Sequence, residues 1–199
     1  GNVVIDFTSP AGANAALQFA VRNRCALVSG TTGVGDAYTT ALDGAAADIA
    51  VLHAANMSLG VALMRHLAEE AARSLPTHFE PELVELHHRH KADAPSGTAF
   101  ALAEAVSKGR SDRTTTHLVT ARAGTDARRG PSDMGLFGVR GGDTVGEHTV
   151  YFFGAGERIE LTHRATDRRL FARGAVTAAR WIAGQPAGRY TIDDVLGLG

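Results

Sequence analysis

Three short apolar runs separated by helical segments constrain the fold of the first quarter of the chain. The runs are residues 3–8, 25–29 and 49–53. Their aliphatic and β-branched side chains are typical of strands buried on both faces. Ser9 followed by Pro10 predicts the start of a helix between the first two runs, and a second helix is expected to end near residue 47. This alternation predicts a doubly wound α/β unit, in which ligands bind beyond the carboxyl ends of the strands.

The pattern changes after Pro76, where strands become longer and alternate between apolar and polar residues. A helix capped by Asn56 or Ser58 is expected to end near Leu75. Further strands are predicted at 83–87, 114–121, 136–139, 147–153 and 158–164, with helices at 96–108 and 169–183. The predicted fold class is therefore α/β plus α+β, with the second domain built on a mixed open sheet. We expect residues 1–57 and 168–199 to form the first domain and 58–167 the second.

Composition excludes several classes of protein. The 199 residues carry a net charge of −1, which gives no electrostatic case for binding nucleic acid or an anionic membrane. The single cysteine, Cys25, excludes an internal disulfide and fits a reducing compartment. No apolar stretch is long enough to cross a bilayer, so we expect a cytoplasmic protein without membrane or nucleic-acid partners. Because the chain begins at Gly1 inside a strand-like run, we expect a piece of a longer protein.

The most informative motif is a cluster of proton donors followed by the start of a helix. It reads His87-His88-Arg89-His90-Lys91-Ala92-Asp93-Ala94-Pro95-Ser96-Gly97-Thr98-Ala99. Histidine exchanges protons near neutral pH, and Lys91, one of two lysines in the chain, can donate a proton where nearby cations disfavour its charged form. The Ser96 turn offers backbone N–H groups to an anion. Unless this loop is only a solvated surface, the motif predicts an enzyme acting on a small acidic molecule, with His87 and Lys91 on a polar loop rather than in the core.

Two further hypotheses remain open from the residues alone. A zinc site on His87, His88 and His90 is conceivable, although Arg89 and Lys91 would repel a divalent cation, so we expect no metal. The loop at residues 30–33, Gly-Thr-Thr-Gly, follows a strand and precedes a helix, and it is either an ordinary turn or a cofactor contact.

The segment from Glu85 to Ala99 closely resembles the signature of the dihydrodipicolinate reductase family. Other segments match the family in the same order. These are Ile5-Asp6-Phe7-Thr8, Gly30-Thr31-Thr32-Gly33, Ala54-Ala55-Asn56-Met57-Ser58, Val139-Arg140-Gly141-Gly142-Asp143, Val145-Gly146-Glu147-His148 and Glu157-Arg158-Ile159-Glu160-Leu161-Thr162-His163. The resemblance therefore covers nearly the whole chain.

The resemblance implies an NADH- or NADPH-dependent reduction of a cyclic dicarboxylic acid, 4-hydroxy-tetrahydrodipicolinate, in the diaminopimelate route to lysine. It implies that His87 and Lys91 are the catalytic proton donors, and that His88, Gly97 and Thr98 bind the substrate. The family's positions at the nicotinamide end of the cofactor correspond to Gly30, Thr31, Thr32, Ala54, Ala55, Asn56 and Met57. Members of the family are typically homotetramers joined through the sheet of the second domain.

The sequence departs from the family pattern in its first domain. No G-x-G-x-x-G motif after a strand occurs in the 199 residues, although Rossmann-type domains bind the pyrophosphate there. We therefore expect a truncated Rossmann-type dinucleotide-binding domain, and the preference for NADH or NADPH stays open. The alternative is a catalytically incompetent substrate-binding or assembly fragment of such an enzyme.

Overall fold

The computed structural model describes residues 1–198, and its contacts divide the chain into two units. In chain order the elements are β1 (Val3–Asp6), α1 (Pro10–Asn23), β2 (Ala26–Ser29), α2 (Gly35–Ala45), β3 (Ala50–His53), α3 (Leu59–Ser74), β4 (Glu80–His87), α4 (Gly97–Arg110), β5 (His117–Val119), β6 (Asp133–Arg140), β7 (Gly146–Gly154), β8 (Glu157–Ala165), α5 (Arg169–Ile182), β9 (Gly188–Tyr190) and α6 (Ile192–Leu196). The first unit contains residues 1–62 and the chain from Arg169 onward, and the second contains Leu63–Arg168.

The first unit is built on a parallel sheet with the strand order β1-β2-β3-β9. Its first helix starts as predicted, because the side chain of Ser9 accepts a hydrogen bond from the backbone N–H of Gly12 and Pro10 occupies the first turn. Arg24 ends the helix in the left-handed conformation, with φ 51°. The predicted strands and helices of this unit are therefore confirmed.

Both faces of the parallel sheet are covered, as expected for a doubly wound unit. One face packs Leu27 and Val51 against α1 and α2. The other face packs Val28 and Leu52 against α5 and α6, so the last long helix packs on the first sheet as predicted. The buried Cys25 belongs to the first of these cores.

The second unit contains a five-stranded mixed sheet with the order β5-β6-β4-β7-β8. The central strand β4 runs parallel to β6 and antiparallel to β7. Odd-numbered residues of β4, such as Leu83, are buried, and even-numbered residues are half-buried or exposed. The buried face packs on α4 and on α3 residues such as Ala68, which confirms the α+β class of this unit.

The structure corrects several element predictions. The strand β9 and the helix α6 were not predicted from the sequence, although Thr191 and Asp194 form a capping box at the start of α6. The strand expected at 114–121 is limited to His117–Val119. Of the two capping candidates for α3, Ser58 accepts a hydrogen bond from the N–H of Val61, while Asn56 accepts one from Ser58.

The second face of the five-stranded sheet carries exposed apolar side chains. Val139 and Phe153 are among the exposed large hydrophobic residues, and Tyr151 stacks on Phe153. Phe137 and Arg122 lie in the same open depression, which has a volume of about 750 Å³. As for membrane spans, no helix in residues 1–198 combines the necessary length and apolar character.

Candidate active site

The predicted catalytic and substrate-binding residues lie where β4 ends and α4 begins. His87 is the last residue of β4, His88 follows it, and Lys91 lies in the connecting loop. Gly97 and Thr98 form the first turn of α4. The backbone N–H of Ser96 donates to the Glu85 side chain of β4 (3.1 Å), so the start of α4 is bound directly to the strand. All five predicted residues thus lie between the end of β4 and the first turn of α4 in the second unit.

His87 is buried, contrary to the expectation that it would lie on a polar loop. The residue is only 9% exposed, and its Nδ1 lies 2.8 Å from a carboxylate oxygen of Glu85. Burial lowers the pKa of His87, Glu85 opposes this shift, and the charges of Lys91 and Arg140 reinforce it. The strand alternation that buries residues 83 and 85 also turns residue 87 inward, which explains the difference.

Glu85 is the fully buried anion of this site. Its Oε1 accepts hydrogen bonds from the Ser96 N–H (3.1 Å) and from Arg140 (2.7 Å), and its Oε2 faces His87. Burial raises the pKa of Glu85, but the hydrogen bonds from Ser96 and Arg140, together with the charges of His87 and Arg140, outweigh burial and hold the pKa below its usual value. The carboxylate is therefore ionised at neutral pH, and its burial is compensated by the two hydrogen bonds to Oε1 and by the close contact of Oε2 with His87.

A second buried histidine packs against the first. The ring centroids of His148 and His87 lie 5.2 Å apart in an edge-to-face arrangement, and His148 Nε2 lies 3.2 Å from the hydroxyl of Ser96. Burial, together with the neighbouring His87, lowers the pKa of His148 to about 4. His148 is consequently neutral at physiological pH and contributes polar contacts rather than charge.

The loop that carries Lys91 is held by side-chain and backbone contacts. Lys91 Nζ forms an ion pair with Asp93 (2.7 Å), so its nearest charged neighbour is an anion and not one of the surrounding cations that the sequence analysis emphasised. Arg140 also donates to the backbone carbonyl of Asp93 (2.6 Å), and the Ala94–Pro95 peptide bond is cis. Arg140 therefore contacts both the strand and the loop.

The start of α4 has the geometry of an anion-binding turn. The Ser96 side chain caps the helix by accepting a hydrogen bond from the Ala99 N–H (3.2 Å). A Cβ atom placed on Gly97 would meet no atom within 4 Å, and Thr98 is half-buried. The positive end of a helix favours a negatively charged group, and Gly97 leaves room for one there.

Three residues of this site carried no role in the sequence analysis. Glu85 is detectable in principle, since residues two apart on a strand share a face and Glu85 precedes His87 by two. Arg140 and His148 lie on β6 and β7, and their approach to Glu85 depends on both strands pairing with β4. Only the sheet order reveals these two residues.

Glu85, His87 and His148 are also the one group of side chains within residues 1–198 whose spacing could hold a metal ion, with ligand atoms within 4.8 Å of one another. Arg140 donates to the same carboxylate, and its charge disfavours a divalent cation. The zinc alternative named His87, His88 and His90, and of these only His87 belongs to this group. We interpret the group as two histidines in polar contact with the buried Glu85 carboxylate.

In the first unit, the buried carboxylate of Asp6 holds the loop after β2 through hydrogen bonds. Asp6 is 2% exposed, and it accepts hydrogen bonds from the hydroxyls of Ser29 (2.8 Å) and Thr31 (2.7 Å). The carbonyl of Thr31 contacts His53 Nε2 (2.9 Å). The hydroxyl of Thr31 is thus turned inward, while Thr32 is exposed.

The predicted segment after β3 is partly exposed and partly buried. Ala55 is exposed, and Ala54 and Asn56 are half-buried. Met57 is 1% exposed and packs in the core against α5, where Gly174 allows close approach to its carbonyl. This segment and the Gly30–Thr32 loop follow neighbouring parallel strands, so the predicted cofactor positions share one edge of the sheet.

Comparison with known proteins gives consistent results for both parts of the chain. The family model of the dihydrodipicolinate reductase N-terminus matches residues 1–57, and that of the C-terminus matches residues 60–196. A 4-hydroxy-tetrahydrodipicolinate reductase from Methylocella silvestris is 49% identical over 196 residues, which are 98% of this chain and 72% of the relative. One from Alkalilimnicola ehrlichii is 49% identical over 197 residues, 99% of this chain and 74% of the relative.

A solved structure is also similar. It is the dipicolinate-bound dihydrodipicolinate reductase from Paenisporosarcina sp. TG-14, with a TM-score of 0.76 and 25% sequence identity, covering 96% of this chain and 71% of that one. The matched segments include the motif from Glu85 to Ala99 and the loops after β2 and β3. The chain belongs to the dihydrodipicolinate reductase family of oxidoreductases.

Proposed function

We propose that this chain reduces 4-hydroxy-tetrahydrodipicolinate to tetrahydrodipicolinate with NADH or NADPH, in the diaminopimelate route to lysine. The overall reaction consumes one hydride and one proton and releases one molecule of water. The observation that carries the proposal is the position of His87, buried against Glu85 beside Lys91 and the first turn of α4. A proton donor and an anion-binding turn on one segment suit the reduction of an acidic ring.

His87 and Lys91 are proposed as the proton donors. Hydride addition to a conjugated C=N or C=C system leaves carbanion character on the ring, and a nearby acid must neutralise it. His87 turns Nδ1 towards Glu85, which leaves Nε2 to exchange the proton with the substrate. Lys91 lies near enough to His87 for its charge to act on the imidazole, so both donors serve one bound molecule.

Gly97, Thr98 and His88 are proposed to bind the substrate carboxylates. The first turn of α4 supplies backbone N–H donors, and the open space beside Gly97 admits a carboxylate. His88 follows the end of β4 and is half-buried, which places it next to the proton donor. The dipicolinate found with the related Paenisporosarcina enzyme is a dicarboxylate of the size expected here.

Gly30, Thr31, Thr32 and the segment 54–57 are proposed to line the nicotinamide end of NADH or NADPH, which supplies the hydride when bound. They fit this group because they lie at the carboxyl edge of a parallel sheet. Thr32 and Ala55 are exposed residues there. Thr31 contributes through its backbone, since its hydroxyl is bound to Asp6.

We further propose a cytoplasmic homotetramer. The exposed Val139 and Phe153, and the depression in which Phe137, Tyr151 and Phe153 lie among charged side chains, support assembly through the five-stranded sheet, because exposed apolar surface of this kind marks interfaces. The unpaired thiol of Cys25 is consistent with a reducing compartment. Sedimentation of the purified protein tests the assembly, and a monomer at micromolar concentration would contradict it.

The activity is tested by following NADH or NADPH oxidation in the presence of the substrate. We expect His87→Ala and Lys91→Ala each to lower kcat by about 10²–10⁴-fold, the usual contribution of general acid catalysis. His90→Ala is the matched control, because His90 is an exposed histidine of the same loop and should retain turnover. A wild-type protein that oxidises no cofactor, or a His87→Ala variant with full turnover, would contradict the proposal.

A further inference from the structure

We propose that Glu85 is the positioning residue of the site, because its two carboxylate oxygens hold the proton donor and the substrate-binding turn in separate contacts. This inference rests on the proposed function. The inference adds a buried residue to the site, one that acts through its neighbours without touching the substrate. Glu85 is fully buried, and a buried carboxylate is retained only where hydrogen bonds and opposite charges compensate its loss of hydration.

The Oε2 atom of Glu85 selects the tautomer of His87. It lies 2.8 Å from His87 Nδ1, and an ionised carboxylate can only accept a hydrogen bond. The close contact therefore favours the neutral tautomer with the proton on Nδ1, and Nε2 becomes the nitrogen that gains and loses the catalytic proton. This contact between Glu85 and His87 resembles the one by which an aspartate orients the histidine of a hydrolytic triad.

Gly146 keeps space at the exchanging nitrogen. A Cβ atom at position 146 would lie 2.9 Å from His87 Nε2 and 3.3 Å from its Cδ2. Real Cβ atoms essentially never show the first separation, so a larger residue would force the imidazole or the strand to shift. The strand β7 thus has glycine at a position beside Nε2.

The Oε1 atom of Glu85 holds the substrate-binding turn. It accepts hydrogen bonds from the Ser96 N–H and from Arg140, and Arg140 extends to the carbonyl of Asp93 in the Lys91 loop. Gly138 makes room for this contact, since a Cβ atom there would lie 2.9 Å from Oε1. One carboxylate thus ties β4 to the loop and to the first turn of α4.

The division between the two oxygens makes Glu85→Gln a selective test. With its oxygen at the Oε1 position, glutamine still accepts from Ser96 and Arg140. Its amide nitrogen then faces His87 Nδ1 with a donor, which forces the neutral imidazole to carry its proton on Nε2. The variant should keep the substrate-binding turn and lose the correct tautomer.

Three measurements separate these effects. In Glu85→Gln we expect kcat to fall by about 10²-fold or more, while the dissociation constant of pyridine-2,6-dicarboxylate changes by less than about threefold because both donors to Oε1 are kept. Nitrogen-15 NMR of His87 at about pH 8, where a histidine of ordinary pKa is neutral, should show Nδ1–H in the wild type and Nε2–H in the variant. Glu69→Gln is the control, since Glu69 is a carboxylate outside this site, partly buried and with two cationic partners, Arg73 and Lys108.

Each outcome decides the proposal. The wild-type NMR spectrum requires neither a variant nor turnover, so an Nε2–H tautomer there overturns the proposal even if Glu85→Gln fails to fold or the reductase activity is absent. Turnover of Glu85→Gln within about threefold of the wild type also overturns it, as does an equal loss in Glu69→Gln. Failure of the proposed function alone would appear as a wild type with the Nδ1–H tautomer and no substrate reduction.

Discussion

Replacing Asp6 by asparagine tests how the loop after β2 is held. Asp6 Oδ1 accepts hydrogen bonds from the Thr8 N–H (3.2 Å) and hydroxyl (2.6 Å), and Oδ2 accepts from the Ser29 and Thr31 hydroxyls. Asparagine keeps the size of the side chain but has one acceptor oxygen and no charge. The two hydroxyls at Oδ2 lose their charge-assisted bonds, and we expect the first unit to lose about 1–3 kcal/mol of unfolding free energy.

The pH dependence gives the same prediction an independent check. Burial raises the pKa of Asp6, but hydrogen bonds from Thr8, Thr31 and Ser29 outweigh burial and hold the pKa below its ordinary value of 3.8. A lowered folded-state pKa stabilises the protein above the unfolded pKa, and this contribution disappears as the pH falls through the folded value. The difference between wild type and Asp6→Asn should be complete at neutral pH and shrink in acid.

Urea unfolding measures the effect, with the fluorescence of Trp181 as the signal. Trp181 is the single tryptophan and packs on Tyr190 in the first unit, so it reports the unit that contains Asp6. Asp43→Asn is the control, because Asp43 is 62% exposed and its partner Arg189 is 3.8 Å away, and such a surface pair contributes less than about 1 kcal/mol. An Asp6→Asn variant as stable as the wild type at neutral pH would refute the reasoning.

Two other substitutions test the second unit. Thr98→Val should weaken pyridine-2,6-dicarboxylate binding by about 10-fold or more, because a hydrogen bond to a charged group contributes about 1.5–3 kcal/mol. Calorimetric titration measures the dissociation constant, and an unchanged value would show that the hydroxyl does not bind the ligand. Gly109→Ala should lower the melting temperature, although alanine is more favourable than glycine in a helix by about 1 kcal/mol. The new Cβ would lie 2.3 Å from the Glu69 carbonyl oxygen, so overpacking by about 1–3 kcal/mol outweighs the helical preference, and a raised melting temperature would contradict this.

Much of the fold follows from local sequence patterns. The buried strands of the first unit are short aliphatic runs, and Ser9 with Pro10 marks the start of α1 as the structure has it. The hairpin at 154–156 also follows from its glycines, since β7 and β8 join there. These features depend on residues that are close in sequence, so a single sequence is sufficient to predict them.

The parts that escaped prediction depend on strand pairing or on short elements. The strand β9 has three residues, and its structure depends on its parallel pairing with β3. The inward hydroxyl of Thr31 depends on Asp6 in the neighbouring strand. The network around Glu85 joins β4, β6 and β7, and the sequence spacing of Arg140 and His148 from Glu85 gives no indication that they meet.

The order of segments along the chain also determines the order in which the first unit can be completed during synthesis. The helix α5 covers Val28 and Leu52, yet the ribosome makes it only after the whole of Leu63–Arg168. At about 5–20 residues per second this interval lasts roughly 5–20 s. During that time the second unit, which is contiguous, can fold, while one face of the nascent parallel sheet stays uncovered and available to chaperones that bind apolar strands.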